Sequence, residues 1–266
     1  ARPLRQASGF YKQFLMCLLA LYFHELDAYP LVVAANRDEY YARPSAPPQV
    51  LGENPVIYGG KDLKAGGTWL GVNEYGLVVG ILNRRSPVDE QQDLRSRGLL
   101  CRDLLSRRST AEILVELERQ QAFHYRTFNL VFADSLAAYV AYNAERQISW
   151  LRLERGLHLF GNGTVPDVGS GKLNHARLLF GRLAQDLKTG QVFSDGINLL
   201  RSSLSDHTGA NAETPKDAIC VLTPLYGTVS SSLLFYSQSE RRFVTYYAPG
   251  PPCQNSYQPG QAVPSR

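Results

Sequence analysis

The chain has 266 residues, of which 44% are hydrophobic, 11% aromatic and 20% charged. This length and composition suffice for a large buried core and exclude a fibrous or wholly disordered chain. The formal net charge of +4 is small, and the densest basic stretch, residues 84–108, also contains four acidic residues. Nucleic-acid binding is therefore not predicted.

The first fifteen residues carry three basic residues and no acidic one, and they lead into the apolar stretch Phe14 to Phe23. No clear small-residue cleavage site follows this stretch, so the sequence predicts an N-terminal extension, residues 1–15, rather than a signal peptide. About ten apolar residues fall short of the roughly twenty that a membrane-spanning helix needs, so no integral membrane segment is predicted. The only methionine is Met16, and a start there would make Cys17 the second residue.

Two hairpins are predicted in the next part of the chain. Leu18 to Phe23 and Leu31 to Ala35 are apolar runs separated by a polar turn, which is typical of a hairpin of buried strands. Thr68 to Val72 and Leu77 to Leu82 flank an Asn-Glu-Tyr-Gly turn and form the second hairpin. The intervening segment, Arg43 to Gly67, contains several prolines and glycines and is predicted to be a surface loop around a cleft.

Blocks of helix and strand alternate in the rest of the chain. The predicted helices are Gly98 to Ser106, one that begins at Ser109 with Glu112 at capping-box spacing, one over Leu173 to Leu187 and one over Ile197 to Leu204. The predicted strands are Phe128 to Ala133, Ala137 to Tyr142, Ile148 to Leu153, Leu157 to Phe160, Ala218 to Thr223, Ser231 to Tyr236 and Phe243 to Tyr247. Such blocks favour an α+β fold with antiparallel sheets.

The domain boundaries follow from these elements. Residues 250–266 are rich in proline and glycine and have no apolar periodicity, which predicts a disordered tail. Residues 16–249 are predicted to form a single globular domain.

The spacing of cysteines and histidines predicts no metal site. The four cysteines form no CxxC pair, and the five histidines form no HExxH or other ligand pattern. Gly171-Lys172 resembles the end of a phosphate-binding loop, but the earlier glycine and the following serine or threonine are missing. We therefore predict no metal and no cofactor.

The most reactive chemistry in the sequence is predicted at Cys17. A cysteine exposed as the N-terminus carries a thiol beside an α-amine with a pKa of roughly 7.7 to 8.0, which can accept the thiol proton. The alternative is an inert buried cysteine on an apolar strand. The polar tetrad Asn36 to Glu39, which ends the second predicted strand, favours the first hypothesis because Arg37 beside the thiol would lower its pKa.

Ordered motifs along the chain resemble one known family. They are Met16-Cys17 before an apolar strand, Ala34 to Glu39 with Arg43-Pro44, Gly66 to Gly71, Phe128 to Leu130, Gly161-Asn162 and Tyr226 to Thr228. This set resembles the NRDE family, which includes the transport and Golgi organisation proteins of the second type. The family is similar in fold to the choloylglycine and penicillin V acylases, which are N-terminal-nucleophile hydrolases. The resemblance implies a four-layer αββα sandwich with antiparallel sheets.

The resemblance also implies roles for individual residues. Cys17 is the implied nucleophile, Arg37 lies beside its thiol, and Asp38 holds the α-amine, with Glu39 as the substitute because the acylases space this pair differently. The remaining implied site residues are Asn83 and Asn162 as oxyanion donors, Asn36, Glu39 and Trp69 as substrate-binding residues, and Lys172 or Arg177 in place of a late acylase arginine.

Three functional hypotheses remain open at this point. The first is a hydrolase of carboxamides built on Cys17, and the second is a non-catalytic binder of acyl-coenzyme A, lipid or haem in the same cleft. The third is a secreted acylase processed ahead of Cys17. The resemblance implies a role in Golgi organisation and secretion and in lipid or haem homeostasis, with a small amphipathic or acyl-containing ligand. The implied compartment is the cytoplasm, with Golgi or mitochondrial association.

Overall fold

The computed structural model describes residues 17–84, 94–144, 147–165, 170–189, 193–208 and 217–266. The predicted extension, residues 1–15, therefore lies outside the described residues. Within the described ranges there are two seven-stranded sheets, and every pairing between their strands is antiparallel.

The strands are β1 (Leu18–Leu26), β2 (Tyr29–Tyr40), β3 (Ser45–Glu53), β4 (Val56–Asp62), β5 (Leu70–Asn73), β6 (Val78–Asn83), β7 (Phe128–Ala133), β8 (Ala138–Ala144), β9 (Gln147–Leu153), β10 (Gly156–Phe160), β11 (Tyr226–Ser237), β12 (Arg242–Ala248), β13 (Gln258–Pro259) and β14 (Val263–Pro264). The first sheet has the strand order β10-β1-β2-β11-β12-β13, with β14 also paired to β12, and the second runs from β3 to β9 in sequence order. The helices are α1 (Arg97–Leu104), α2 (Thr110–Arg119), α3 (Gly171–Thr189) and α4 (Phe193–Leu204).

Three apolar clusters hold these elements in four layers. Helices α3 and α4 cover one face of the first sheet, the two sheets face each other, and α1 and α2 cover the outer face of the second sheet. Successive residues of a strand point to opposite faces. Accordingly Leu18 and Ala20 contact the helix layer, whereas Leu19 and Leu21 contact the second sheet. The predicted α+β class and αββα layering are confirmed.

Both predicted hairpins are confirmed. Strands β1 and β2 pair with Leu18 opposite Asn36, and β5 and β6 pair with Leu70 opposite Gly80. Helix α2 begins as the capping box predicts, because the Ser109 side chain accepts a hydrogen bond from the Glu112 backbone amide.

Two predicted elements are wrong. The segment expected to be a loop, Arg43 to Gly67, forms strands β3 and β4 instead. Their proline and glycine residues coincide with irregular register and with an edge strand, where proline is tolerated. The strand expected at Ala218 to Thr223 is not present, and this segment makes a single bridge between Leu222 and Gly227.

The segment after Pro249 is ordered, contrary to the prediction of a disordered tail. Strands β13 and β14 both pair with β12, and Val263 is fully buried in the layer between the sheets. The hydroxyl of Tyr257 lies 2.6 Å from Ser231 Oγ. The prediction from proline and glycine content was wrong because strand pairing with β12 and the buried side chain of Val263 order this mostly polar segment.

The backbone of Gly67 packs directly against the backbone of Gly98 and Leu99. A Cβ on it would overlap the Gly98 carbonyl and the Leu99 nitrogen, and Thr68 donates a hydrogen bond to the Gly98 oxygen at 3.0 Å. Backbone atoms cannot rotate away, so Gly67→Ala is expected to lower the free energy of unfolding by about 1 to 3 kcal/mol. Urea denaturation measures this loss.

The matched control is Gly66→Asn. Gly66 has a φ of +75° and no atom within 4 Å of its added Cβ, and asparagine tolerates this left-handed conformation. If Gly66→Asn lowered the free energy of unfolding as much as Gly67→Ala, the close backbone contact at Gly67 would not explain the loss.

None of the helices within the described ranges has the length and hydropathy of a transmembrane span.

Candidate active site

Cys17 lies at the start of β1, between two predicted site residues. Continuing the β1–β2 register by one residue sets Cys17 opposite Arg37, and continuing the β1–β10 register sets it opposite Asn162. The thiol sulfur lies 3.4 Å from the Asp38 backbone nitrogen and 3.5 Å from its carbonyl oxygen. The sulfur thus contacts the Asp38 backbone, and the extended register sets the backbones of Arg37 and Asn162 on either side of Cys17.

The Cys17 thiol is protonated in this arrangement. Burial, and next the negative charge of Asp38, raise its pKa to about 12. The backbone amide of Asp38 and the charge of Arg37 act in the opposite direction but do not compensate. The expected lowering of the thiol pKa by Arg37 is correct in direction, but burial outweighs it.

Asp38 forms a buried ion pair with Lys172, at the start of α3. The Lys172 ammonium lies 3.1 Å from Asp38 Oδ2, and the two side chains are 2% and 0% exposed. Thr228 Oγ1 donates to the other carboxylate oxygen at 2.6 Å. Burial nevertheless raises the pKa of Asp38, although Lys172 and Thr228 lower it. Whether this carboxylate also holds an α-amine of Cys17 stays a prediction.

Arg37 points to the opposite side of β2 from Asp38, into the layer between the sheets. Its guanidinium lies 4.1 Å from the ring centroid of Trp69 and donates to Ser45 Oγ at 3.3 Å. Glu39 lies 4.0 Å from Arg37 and 3.8 Å from Arg43. Glu39 therefore lies within ion-pair distance of two arginines. The aromatic ring of Trp69 stacks on the Arg37 guanidinium in a cation–π contact.

Asn36 is turned toward the helix layer. Its amide donates to the carbonyl oxygens of Leu204 and Ile219, both at 2.9 Å, and its oxygen accepts from Ser231 Oγ at 2.7 Å. The side chain is buried and all of these bonds are internal. The geometry does not support the predicted contact of Asn36 with substrate.

The two predicted oxyanion residues are in contact. The Asn162 amide donates to the backbone carbonyl of Asn83, and the buried side-chain oxygen of Asn162 has no hydrogen-bond partner among the described residues. Asn129 fixes this turn by donating to the carbonyl oxygens of Gly161 and Gly163, both at 2.9 Å. Asn162 thus carries a buried polar group of the kind that a ligand could satisfy.

A small cavity and an exposed apolar surface lie near the site. A cavity of about 20 Å³ lies beside Trp69, between the sheets, and is large enough for one water molecule. Tyr41, Leu222 and Leu225 are 48%, 42% and 68% exposed and lie at the ends of β2 and β11 that carry Asp38 and Thr228. A larger cavity of about 300 Å³ lies on α2, in the outer layer that does not contact Cys17.

Sequence reasoning assigned no role to Thr228 or Asn129, although both occur in the motifs that carry the resemblance. Lys172 was one of two alternatives for a late arginine. The structure brings Lys172 to Asp38, whereas Arg177 is exposed and bonds to Asn174. In the sequence, Lys172 is distinguished only by its place directly after Gly171, the first residue of α3. That its ion-pair partner is Asp38 depends on tertiary packing.

Comparison of the sequence with known proteins identifies one family. Transport and Golgi organisation 2 matches residues 16–247. A mouse Transport and Golgi organization 2 homolog is 35% identical over 126 residues, which cover 45% of this chain and 45% of that protein. A bovine homolog is 26% identical over 256 residues, 82% of this chain and 88% of that protein. The aligned region thus spans under half of the mouse relative. The family predicted from the motifs is confirmed.

Comparison of the structure finds similar folds among hydrolases. A variant of the conjugated bile acid hydrolase from Clostridium perfringens superposes with a TM-score of 0.54 at 12% identity, covering 93% of this chain and 97% of that one. The Caenorhabditis elegans ortholog of N-acylethanolamine-hydrolyzing acid amidase gives 0.53 at 11% identity, covering 82% and 92%. These similarities confirm the N-terminal-nucleophile hydrolase fold.

Proposed function

The chain belongs to the Transport and Golgi organisation 2 family, and from that premise we propose that it is an amidase whose nucleophile is Cys17 once this residue is the N-terminus. The observation that carries the proposal is the position of the thiol, at the start of β1 between Arg37 and Asn162 and against the Asp38 backbone. The proposed location is the cytoplasm, in association with the Golgi or with mitochondria. The proposed biological role is in Golgi organisation and secretion.

The proposed reaction is thiol-dependent hydrolysis of an amide at Cys17. The sulfur of Cys17 attacks the carbonyl carbon of a carboxamide, a C–S bond forms, and the α-amine takes the thiol proton. The Asn162 amide, through the N–H that is not bonded to the Asn83 carbonyl, and the Asn83 amide donate hydrogen bonds to the oxyanion, each worth about 2.7 to 4 kcal/mol. The α-ammonium then protonates the leaving amine as the C–N bond breaks, and water hydrolyses the thioester.

The proposed substrate class is a small amphipathic amide with an acyl chain. The exposed apolar side chains of Tyr41, Leu222 and Leu225, at the strand ends beside Asp38, support this choice. Arg37 over Trp69 offers a cationic and aromatic surface for a polar head.

A second candidate function is favoured by the raised pKa of the Cys17 thiol. A thiol with a pKa of about 12 is uncharged and a poor nucleophile near neutral pH. A chain that retains residues 1–16 would then bind acyl-coenzyme A, lipid or haem on the exposed apolar surface of Tyr41, Leu222 and Leu225 without turnover, and would act in lipid or haem homeostasis as a carrier.

The test is expression from Met16 followed by intact-mass analysis. The expected result is loss of one methionine and covalent acylation of the protein by an activated acyl amide, abolished by Cys17→Ala. Cys253→Ala, which removes another half-buried cysteine, is the matched control and keeps full labelling. Equal labelling of wild type and Cys17→Ala would defeat the amidase proposal.

The carrier is distinguished by calorimetry with acyl-coenzyme A and haem. Saturable binding that Cys17→Ala leaves unchanged, together with no turnover, supports the carrier. No measurable binding of either ligand counts against it.

A further inference from the structure

Three potential metal ligands meet at a point that the proposed amidase reaction does not use. A ring nitrogen of His207 and the sulfurs of Cys220 and Cys253 all lie within 4.8 Å of one another. The two sulfurs are 3.6 Å apart, although the cysteines are separated by 33 positions in the sequence. His207 precedes Cys220 by 13 positions. Folding therefore assembles a cluster that the sequence spacing does not reveal.

We propose that His207, Cys220 and Cys253 bind one Zn²⁺ ion. Two thiolates and an imidazole are ligands that Zn²⁺ prefers, and both thiols release their protons on binding. In a tetrahedral site with Zn–S bonds of about 2.3 Å the two sulfurs lie about 3.8 Å apart. A disulfide requires about 2.05 Å. The observed separation matches two sulfurs on a shared zinc ion rather than a bonded pair.

The hydrogen bond of His207 is compatible with the same role. Its Nδ1 lies 2.7 Å from the carbonyl oxygen of Cys220. When Nδ1–H donates to that carbonyl, Nε2 keeps its lone pair for a metal, and a backbone carbonyl is a common second partner of a metal-bound histidine. His207 is exposed and Cys253 is half-buried, so an ion can enter from solvent.

The backbone around the ligands is held independently of any ion. The Cys220 amide donates to the Asp206 carbonyl at 2.9 Å, and Arg201 Nε donates to the Pro252 carbonyl at 3.1 Å. These bonds fix the residues beside all three ligands, which lowers the entropic cost of binding. Three protein ligands leave a fourth position for water.

The consequence is a cross-link between segments that are distant in the sequence. The ion would join the end of α4 and the segment before β11 to the C-terminal segment, and Cys253 lies beyond the residues that match the family. Zn²⁺ is therefore expected to stabilise the C-terminal segment against the first sheet, whether or not Cys17 is catalytic.

The experiment is calorimetric titration of the full chain with Zn²⁺ after reduction and chelation, repeated with Co²⁺ to record thiolate-to-metal absorption. One equivalent of Zn²⁺ should bind and raise the thermal unfolding temperature. Cys253→Ser and His207→Ala should each weaken binding by at least about tenfold and remove the temperature shift. Cys17→Ser and His124→Ala, a half-buried cysteine and an exposed histidine elsewhere, are the matched controls and should keep one equivalent.

Any of three results would overturn the proposal. They are no stoichiometric Zn²⁺ binding by the wild type, unchanged binding in both Cys253→Ser and His207→Ala, or a peptide map that shows Cys220 and Cys253 joined by a disulfide in freshly purified protein. Circular dichroism of each variant verifies that loss of binding does not reflect loss of the fold.

Discussion

Lys172→Met is expected to lower the free energy of unfolding by about 3 to 5 kcal/mol, because it leaves the buried Asp38 carboxylate without its ammonium partner. Methionine is similar to lysine in length and packs in an apolar site, so the effect reports the lost charge rather than a cavity. Denaturant unfolding at neutral pH measures the loss.

Two variants separate the ion pair from other causes. The double variant Asp38→Asn/Lys172→Met removes both charges and is expected to recover most of the lost stability, as replacement of whole buried pairs often does. Lys64→Met, at an exposed position, should change stability by less than about 0.5 kcal/mol. A double variant that is no more stable than Lys172→Met would refute the charge argument.

The loss in Lys172→Met should also depend on pH in a definite direction. Burial already raises the pKa of Asp38 above 3.8, and removal of Lys172 raises it further. Between the unfolded and folded pKa values the folded state binds more protons, so the free energy of unfolding falls as pH rises. The deficit should therefore be small near pH 4 and grow toward neutral pH. A deficit that grows as pH falls would contradict this assignment.

Alkylation of Cys17 by iodoacetamide is expected to be about a thousandfold slower in the folded chain that retains residues 1–16 than in the same chain unfolded in urea. The reason is the thiol pKa of about 12, which leaves very little thiolate at neutral pH. The rate should rise about tenfold per pH unit from pH 7 upward. Peptide mapping of the alkylated chain gives the rate at this cysteine.

Two variants of neighbouring charged residues should change the alkylation rate in opposite directions. The charge of Glu39 raises the thiol pKa and that of Arg37 lowers it. Glu39→Gln should therefore speed alkylation at a given pH, and Arg37→Gln should slow it. A chain that begins at Cys17 is expected to react faster than both, because its amine can accept the thiol proton. A folded wild-type rate equal to the unfolded rate would rule out a raised pKa.

Much of the candidate site was accessible from the sequence because it depends on local order. Cys17 and Arg37 lie on adjacent strands of one hairpin, and an antiparallel hairpin fixes which residues face each other. Asn162 follows β10, which pairs with β1, and its role was implied by the family resemblance. The roles of Asn36 and Asp38 were harder, because alternation along β2 sends both toward the helix layer while Arg37 faces the second sheet.

The sequence by itself determined the α+β class, both hairpins, the start of α2 and the family, since these depend on apolar periodicity, turn chemistry and ordered motifs. Only the tertiary structure decided that Lys172 neutralises Asp38, that burial keeps the Cys17 thiol protonated, and that Cys220 and Cys253 meet. These outcomes depend on how deeply each group is buried and on contacts between distant segments. The spacing of residues along the chain does not reveal either of them.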